Sequence, residues 1–129
     1  MSVLPDRPAG IYLHIPFCER KCLYCDFYSV PFDDKAFSRY INALFSEISI
    51  ASESNYGEFS YDTIFLGGGT PSLMSTNNIA DVMEKLSDKF NIENETEITM
   101  ECNPSSLSNE KIEGYSRCGI NRISLGRWP

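Results

Sequence analysis

Apolar residues alternate with polar ones in short runs along this chain, and between those runs they recur at helical spacing. In "GIYLHI", Ile11, Leu13 and Ile15 fall on one side and Tyr12 and His14 on the other, a period of two that predicts a strand. Phe37, Ile41, Leu44 and Ile48 then predict a helix, with Asp33 or Asp34 as its N-cap. After a Ser-rich connection, "YDTIFLGGG" predicts a second strand that ends in glycines. A second helix follows from about Thr76 to Phe90, with Ile79, Val82, Met83, Leu86 and Phe90 as its buried stripe. In "TEITMEC", Ile98, Met100 and Cys102 alternate against Thr99 and Glu101 as a third strand. A short helix is expected from Ser108, its N-cap, to about Arg117, with Gly119 as the stop. "INRISLG", from residue 120, predicts the fourth strand.

The order β-α-β-α-β-α-β implies parallel strands joined by right-handed crossovers. In a barrel or half-barrel of this kind one face of each strand packs on the helices and the other lines the interior. With the aliphatic faces turned to the helices, Tyr12, His14, Thr99, Glu101, Arg122 and Ser124 look inward. Ligands in such folds bind at the C-terminal ends of the strands.

Composition narrows the picture. The 129 residues carry 18 acidic against 11 basic side chains, a net charge of −7, which argues against a nucleic-acid surface. No apolar run approaches the roughly 18 to 20 residues of a spanning helix. The start "MSVLPDRPAG" has no basic region followed by an apolar core, so the expected location is the cytoplasm. No linker or low-complexity tract divides the chain, and residues 1–129 are expected to form one domain.

Three of the five cysteines, Cys18, Cys22 and Cys25, crowd into "CERKCLYC" directly after the first strand. Without an export signal, metal or redox chemistry explains them better than disulfides. Cys102 and Cys118 stand apart and are expected to be core residues. Three thiolates on one loop suit a soft metal centre, either zinc or an iron-sulfur cluster. On a four-iron cluster they leave one iron without a protein ligand, open to a cofactor or substrate. A zinc module completed by His14 or another group is the alternative, and it leaves the glycine loop and Glu101 unexplained.

The C-x3-C-x2-C spacing after "HIPF", with "GGGTPS" and "MECNP" further on, resembles the radical S-adenosylmethionine (SAM) enzymes. The resemblance runs from about Ile11 to Gly126. It implies the N-terminal part of a parallel (βα) partial barrel, about three and a half βα units. It also implies a [4Fe-4S] cluster on Cys18, Cys22 and Cys25, whose open iron is chelated by SAM; an electron from the cluster then cleaves SAM to a 5′-deoxyadenosyl radical. Gly68, Gly69 and Thr70 match the loop that contacts the methionyl part, Glu101 matches a SAM-contacting glutamate, and Tyr12 and Tyr24 match further SAM contacts.

"IYLHIPFC", "CDFYS", "FLGGGTPS", "ECNP" and "GINRISLG" together are similar to the coproporphyrinogen III oxidase-like branch. Oxidases of that branch carry a further cysteine two residues after the third, where this chain has Phe27. That difference points to the branch's heme chaperones, which implies heme, a heme-acceptor protein and an electron donor as partners. Two features depart from the pattern. "GRWP" stands where the oxidases have a glycine followed by "VQ", so Arg127, Trp128 and Pro129 are atypical. Family members are also roughly three times longer, and a closed barrel takes about 250 residues. The expectation is a chain that binds the cluster, with an incomplete heme or porphyrin site and uncovered apolar surface; an inactive fragment is the competing expectation.

Overall fold

The computed structural model describes residues 7–18, 30, 31 and 33–126. Four strands form one parallel sheet: β1 (Ala9–Ile15), β4 (Ser60–Gly68), β5 (Asn91–Cys102) and β6 (Arg122–Leu125), paired in that spatial order. Each strand lies beside its successor in the sheet, as the repeated βα order predicts. Between them run α1 (Asp34–Ser52), α2 (Thr76–Lys89) and α3 (Asn109–Arg117).

The caps of α1 and α3 fall on predicted residues, and Ser75 caps α2. Asp33 accepts from the amides of Lys35 and Ala36, Ser75 from Asn78, and Ser108 from Lys111. Gly119, just past α3, has φ +106°, which only glycine adopts without strain. Leu13, Ile15, Ile64, Leu66, Ile98, Met100 and Cys102 from the strands meet Leu44, Ile48, Ile79, Val82, Met83, Leu86 and Tyr115 from the helices in a single buried cluster. This is the helix-facing side of the sheet; the opposite side carries the polar alternates.

Three features depart from the sequence expectation. First, β5 begins at Asn91, ahead of the predicted Thr96, and its register with β4 shifts between Tyr61 and Thr63. Buried Thr96 spans this irregularity by donating towards the carbonyls of Tyr61 and Glu93. Second, β6 begins at Arg122 and not at residue 120. The Asn121 side chain takes the place of a ladder residue there: its Oδ1 accepts from Ile98 N–H at 2.8 Å and its Nδ2 donates to Thr96 C=O at 2.9 Å. Third, β2 (Phe17–Cys18) and β3 (Val30–Pro31) form a parallel pair outside the main sheet, in the register Phe17 to Val30 and Cys18 to Pro31. This short ladder joins the two ends of the segment that contains Cys22 and Cys25.

Ile123 and Leu125 point to the helical side of β6, where no described helix covers them, and Leu125 is 62% exposed. That matches the uncovered apolar surface expected from the sequence.

Candidate functional site

The polar face of the sheet is arranged in rows set by strand register. Tyr12 pairs with Phe65, Phe65 with Thr99, and Thr99 with Arg122. One step closer to the C-terminal ends, His14 pairs with Gly67 and Glu101 with Ser124. All six residues expected to face inward lie in these two rows.

In the lower row the Tyr12 ring stacks on Phe65, with centroids 5.9 Å apart and planes at 21°. Arg122 reaches the Glu97 carboxylate at 3.6 Å, and Thr99 donates to that carboxylate at 3.3 Å. In the upper row the Tyr12 hydroxyl meets His14 Nδ1 at 3.1 Å. Partial burial, followed by the nearby Glu101 carboxylate, pushes the Tyr12 phenol above its ordinary value.

The glycine loop closes over this row. Gly68 has φ +113° and donates its N–H to Glu101 Oε1 at 3.0 Å. Gly67 has no side chain because that carboxylate occupies the space: a Cβ there would lie 2.6 Å from Glu101 Oε1 and 2.7 Å from the Phe65 ring. Past the end of β4, Gly69 N–H donates to Ile15 C=O and Thr70 N–H to Phe17 C=O, both at 2.7 Å. The loop is thereby laid against the start of the cysteine segment. A Cβ at Gly69 would lie 2.4 Å from Phe17 O and 3.0 Å from the Cys18 sulfur.

Helix α1 fixes the same segment from the other side. The Phe17 ring packs edge-on against Phe37 and Tyr40, at centroid distances of 5.6 and 5.5 Å. The Tyr40 hydroxyl donates to the His14 carbonyl, and burial, with Glu47 and Tyr12 adding to it, pushes the phenol up to about 12.

Among the residues singled out from the sequence, Tyr12, Cys18, Gly68, Gly69, Thr70 and Glu101 therefore converge at the C-terminal ends of β1, β4 and β5. Cys22, Tyr24 and Cys25 lie outside the described residues. Cys102 and Cys118 do not join the site. Cys102 is buried in the core, and desolvation drives its thiol up to about 11 against the opposing effects of Ser72 and Lys111. Cys118 is half-buried and directs its thiol towards the Thr76 carbonyl. Two clefts of about 580 and 490 Å³ lie between α2 and α3 and between β1 and α1, the second lined in part by Tyr12 and His14. Neither contains Gly68, Gly69, Thr70 or Glu101, because the site sits on the open face of an unclosed sheet.

Sequence reasoning missed the polar knot behind the two loops. Ser72 is fully buried; its hydroxyl bonds the Ser106 hydroxyl and accepts from Asn103 N–H at 3.0 Å. Its carbonyl accepts from Lys111 Nζ at 2.7 Å and from the Tyr115 hydroxyl at 3.2 Å. The available signal was the spacing of Lys111 and Tyr115, one helical turn apart on α3.

A parallel βα sheet with Cys18, a glycine loop and a strand-end glutamate at its C-terminal rim is the architecture of α/β proteins, in which ligand sites are built at strand ends. Sequence comparison specifies the class: the pattern of the Radical SAM superfamily matches residues 12–126. The chain belongs to that superfamily.

It is 40% identical over 122 residues to the heme chaperone HemW of Buchnera aphidicola subsp. Schizaphis graminum, covering 92% of this chain and 32% of the relative. It is 37% identical over 125 residues to HemW of Escherichia coli, with the same coverage of 92% and 32%. Anaerobilin synthase of Escherichia coli O157:H7 is 34% identical over 121 residues, covering 93% of this chain and 27% of that protein. Among solved structures, the radical SAM enzyme coproporphyrinogen III oxidase (HemN) of Escherichia coli superposes with a TM-score of 0.86 at 28% identity, over 95% of this chain and 28% of that one. The chain thus spans about a third of the length of the curated relatives it matches. The alternating parallel sheet matches the HemN fold and covers part of its barrel. Among the described residues, no helix is long and apolar enough to cross a membrane.

Proposed function

We propose that residues 1–129 form one radical SAM core unit, the cluster-binding and SAM-binding portion of a cytoplasmic heme chaperone. The observation that carries this reading is the convergence of the Cys18 sulfur, the glycine loop and Glu101 at one rim of the sheet. The residues present fit the two groups. Gly69 leaves open a space beside the Cys18 sulfur that a Cβ would crowd. Glu101 uses one oxygen on Gly68 N–H and keeps the other without a hydrogen bond among the described residues.

Cys18, Cys22 and Cys25 hold the [4Fe-4S] cluster as thiolates. When bound, the cluster supplies the electron for reductive cleavage of SAM. Gly68, Gly69 and Thr70 allow the main chain close approach to the methionyl part, where a side chain would intrude. Glu101 accepts hydrogen bonds from SAM, and Tyr12 and Tyr24 supply further contacts to it. Heme, its acceptor protein and the electron donor belong to the whole protein of which this chain corresponds to about a third.

The identities to two HemW proteins, together with Phe27 in place of the oxidases' further cysteine, support the chaperone. Coproporphyrinogen III oxidase is the second reading, favoured by the structural likeness to HemN. The deciding experiment is anaerobic reconstitution followed by iron, acid-labile sulfide and zinc analysis, on this chain and on Cys22→Ala. About four irons and four sulfides per chain, lost in the variant, are expected. Zinc without sulfide would overturn the cluster, and neither metal would favour an inactive fragment.

A further inference from the structure

The two loops proposed to hold SAM each run directly into a one-turn 3-10 helix: Thr70 into Pro71–Leu73, and Asn103 into Pro104–Ser106. Both turns are fastened to each other and to α3 behind them. Lys111 Nζ donates to the Ser72 carbonyl at 2.7 Å and to the Ser106 carbonyl at 3.1 Å, one acceptor in each turn. Tyr115, one helical turn further on and buried, donates towards the Ser72 and Met74 carbonyls at 3.2 and 2.5 Å. Between the turns, the Ser72 and Ser106 hydroxyls bond each other, and Asn103 N–H donates to Ser72 Oγ.

Lys111 faces no carboxylate within ion-pair distance among the described residues; its charge is met by carbonyls alone. Such charge-assisted bonds are stronger than neutral ones and are directional. Their effect is to set the spacing between the turn after the glycine loop and the turn after Glu101. Gly68 and Glu101, joined by the Gly68 N–H to Glu101 Oε1 bond, stand just ahead of these two turns in the chain.

We infer that Lys111, seconded by Tyr115, is a positioning residue for the SAM-binding loops. It touches neither SAM nor the cluster and acts by locking the two 3-10 turns in register from the outer side of the sheet. This rests on the proposed SAM site, so the test separates the two ideas.

The variants are Lys111→Met, which keeps the apolar stem and removes the donors, Lys111→Arg, Tyr115→Phe, and Lys89→Met on the exposed end of α2 as control. Each is reconstituted anaerobically, titrated with SAM, and followed by amide hydrogen exchange. Lys111→Met is expected to weaken SAM binding about tenfold and to speed exchange at Gly68 and Asn103 about tenfold. Cluster content and exchange in β1 and β4 should stay as in the parent. Tyr115→Phe should move in the same direction by less, Lys111→Arg should recover most of the loss, and Lys89→Met should change nothing.

Unchanged exchange at Gly68 and Asn103 in Lys111→Met overturns the inference, and so does faster exchange spread uniformly over the sheet, which would mark a merely structural residue. If Lys111→Met does not fold, Tyr115→Phe decides by the same exchange criterion. A parent chain that takes up the cluster but does not bind SAM overturns the proposed ligand, while the exchange data still decide the role of Lys111.

Discussion

Gly67 and Glu101 occupy one space between them, since a methyl group on Gly67 would sit 2.6 Å from the carboxylate. Gly67→Ala should therefore push Glu101 off the Gly68 amide. The expected outcome is SAM binding about tenfold weaker and a loss of roughly 1 to 3 kcal/mol in stability, checked by titration and by urea unfolding. The sequence revealed this corner because its chemistry is local: three cysteines in one loop, three glycines in another, an acid at a strand tip. Lys111 and Asn121 were not legible in the same way. Their partners lie 39 and 23 residues away, at Ser72 and Ile98, and only the folded chain brings them together. A lysine or asparagine read alone carries no sign of a buried carbonyl it will meet.

Helix α3 owes its position to a glycine that faces α2. A Cβ on Gly114 would lie 2.3 Å from the Thr76 hydroxyl oxygen and 2.6 Å from its methyl carbon, so the two helices approach more closely than any side chain permits. Gly114→Ala should displace α3 at a cost of roughly 1 to 3 kcal/mol, although alanine favours the helix by up to about 1 kcal/mol. Adding Thr76→Ala should recover part of the loss. Thermal unfolding of the two single variants and the double variant measures this coupling. Element types and caps were predictable here because the apolar stripes are long and each helix opens on Asp or Ser. Strand limits were less so. The start of β5, "NIENE", is almost wholly polar, and β2 and β3, two residues each, are too short to show a period.

The molecule as a whole buries several weak acids in neutral form. Desolvation raises the Cys102 thiol from 9.0 to about 11 and the Tyr40 phenol from 10.0 to about 12, and burial raises Tyr115 further. In each case the folded state holds its proton to higher pH than the unfolded state does. The associated stability is therefore fully present below about pH 9 and is lost as pH rises through 11 and 12. Midpoint temperatures measured from pH 8 to 12 should fall steeply above pH 10, and Tyr40→Phe should make that fall shallower. Little change in slope would mean that the Tyr40 hydroxyl is no more buried than in the unfolded chain.

The two-residue ladder of β2 and β3 has a bearing on how such a chain can change over generations. Because Phe17 meets Val30 and Cys18 meets Pro31, the core is in contact with the ladder whatever lies between. The entropy of closing that interval rises only with the logarithm of its length, by about 0.6 kcal/mol for each doubling. Beyond Cys25 the interval can accordingly change in length at little cost in closure, while the spacing of the three cysteines and the register of the sheet stay as they are.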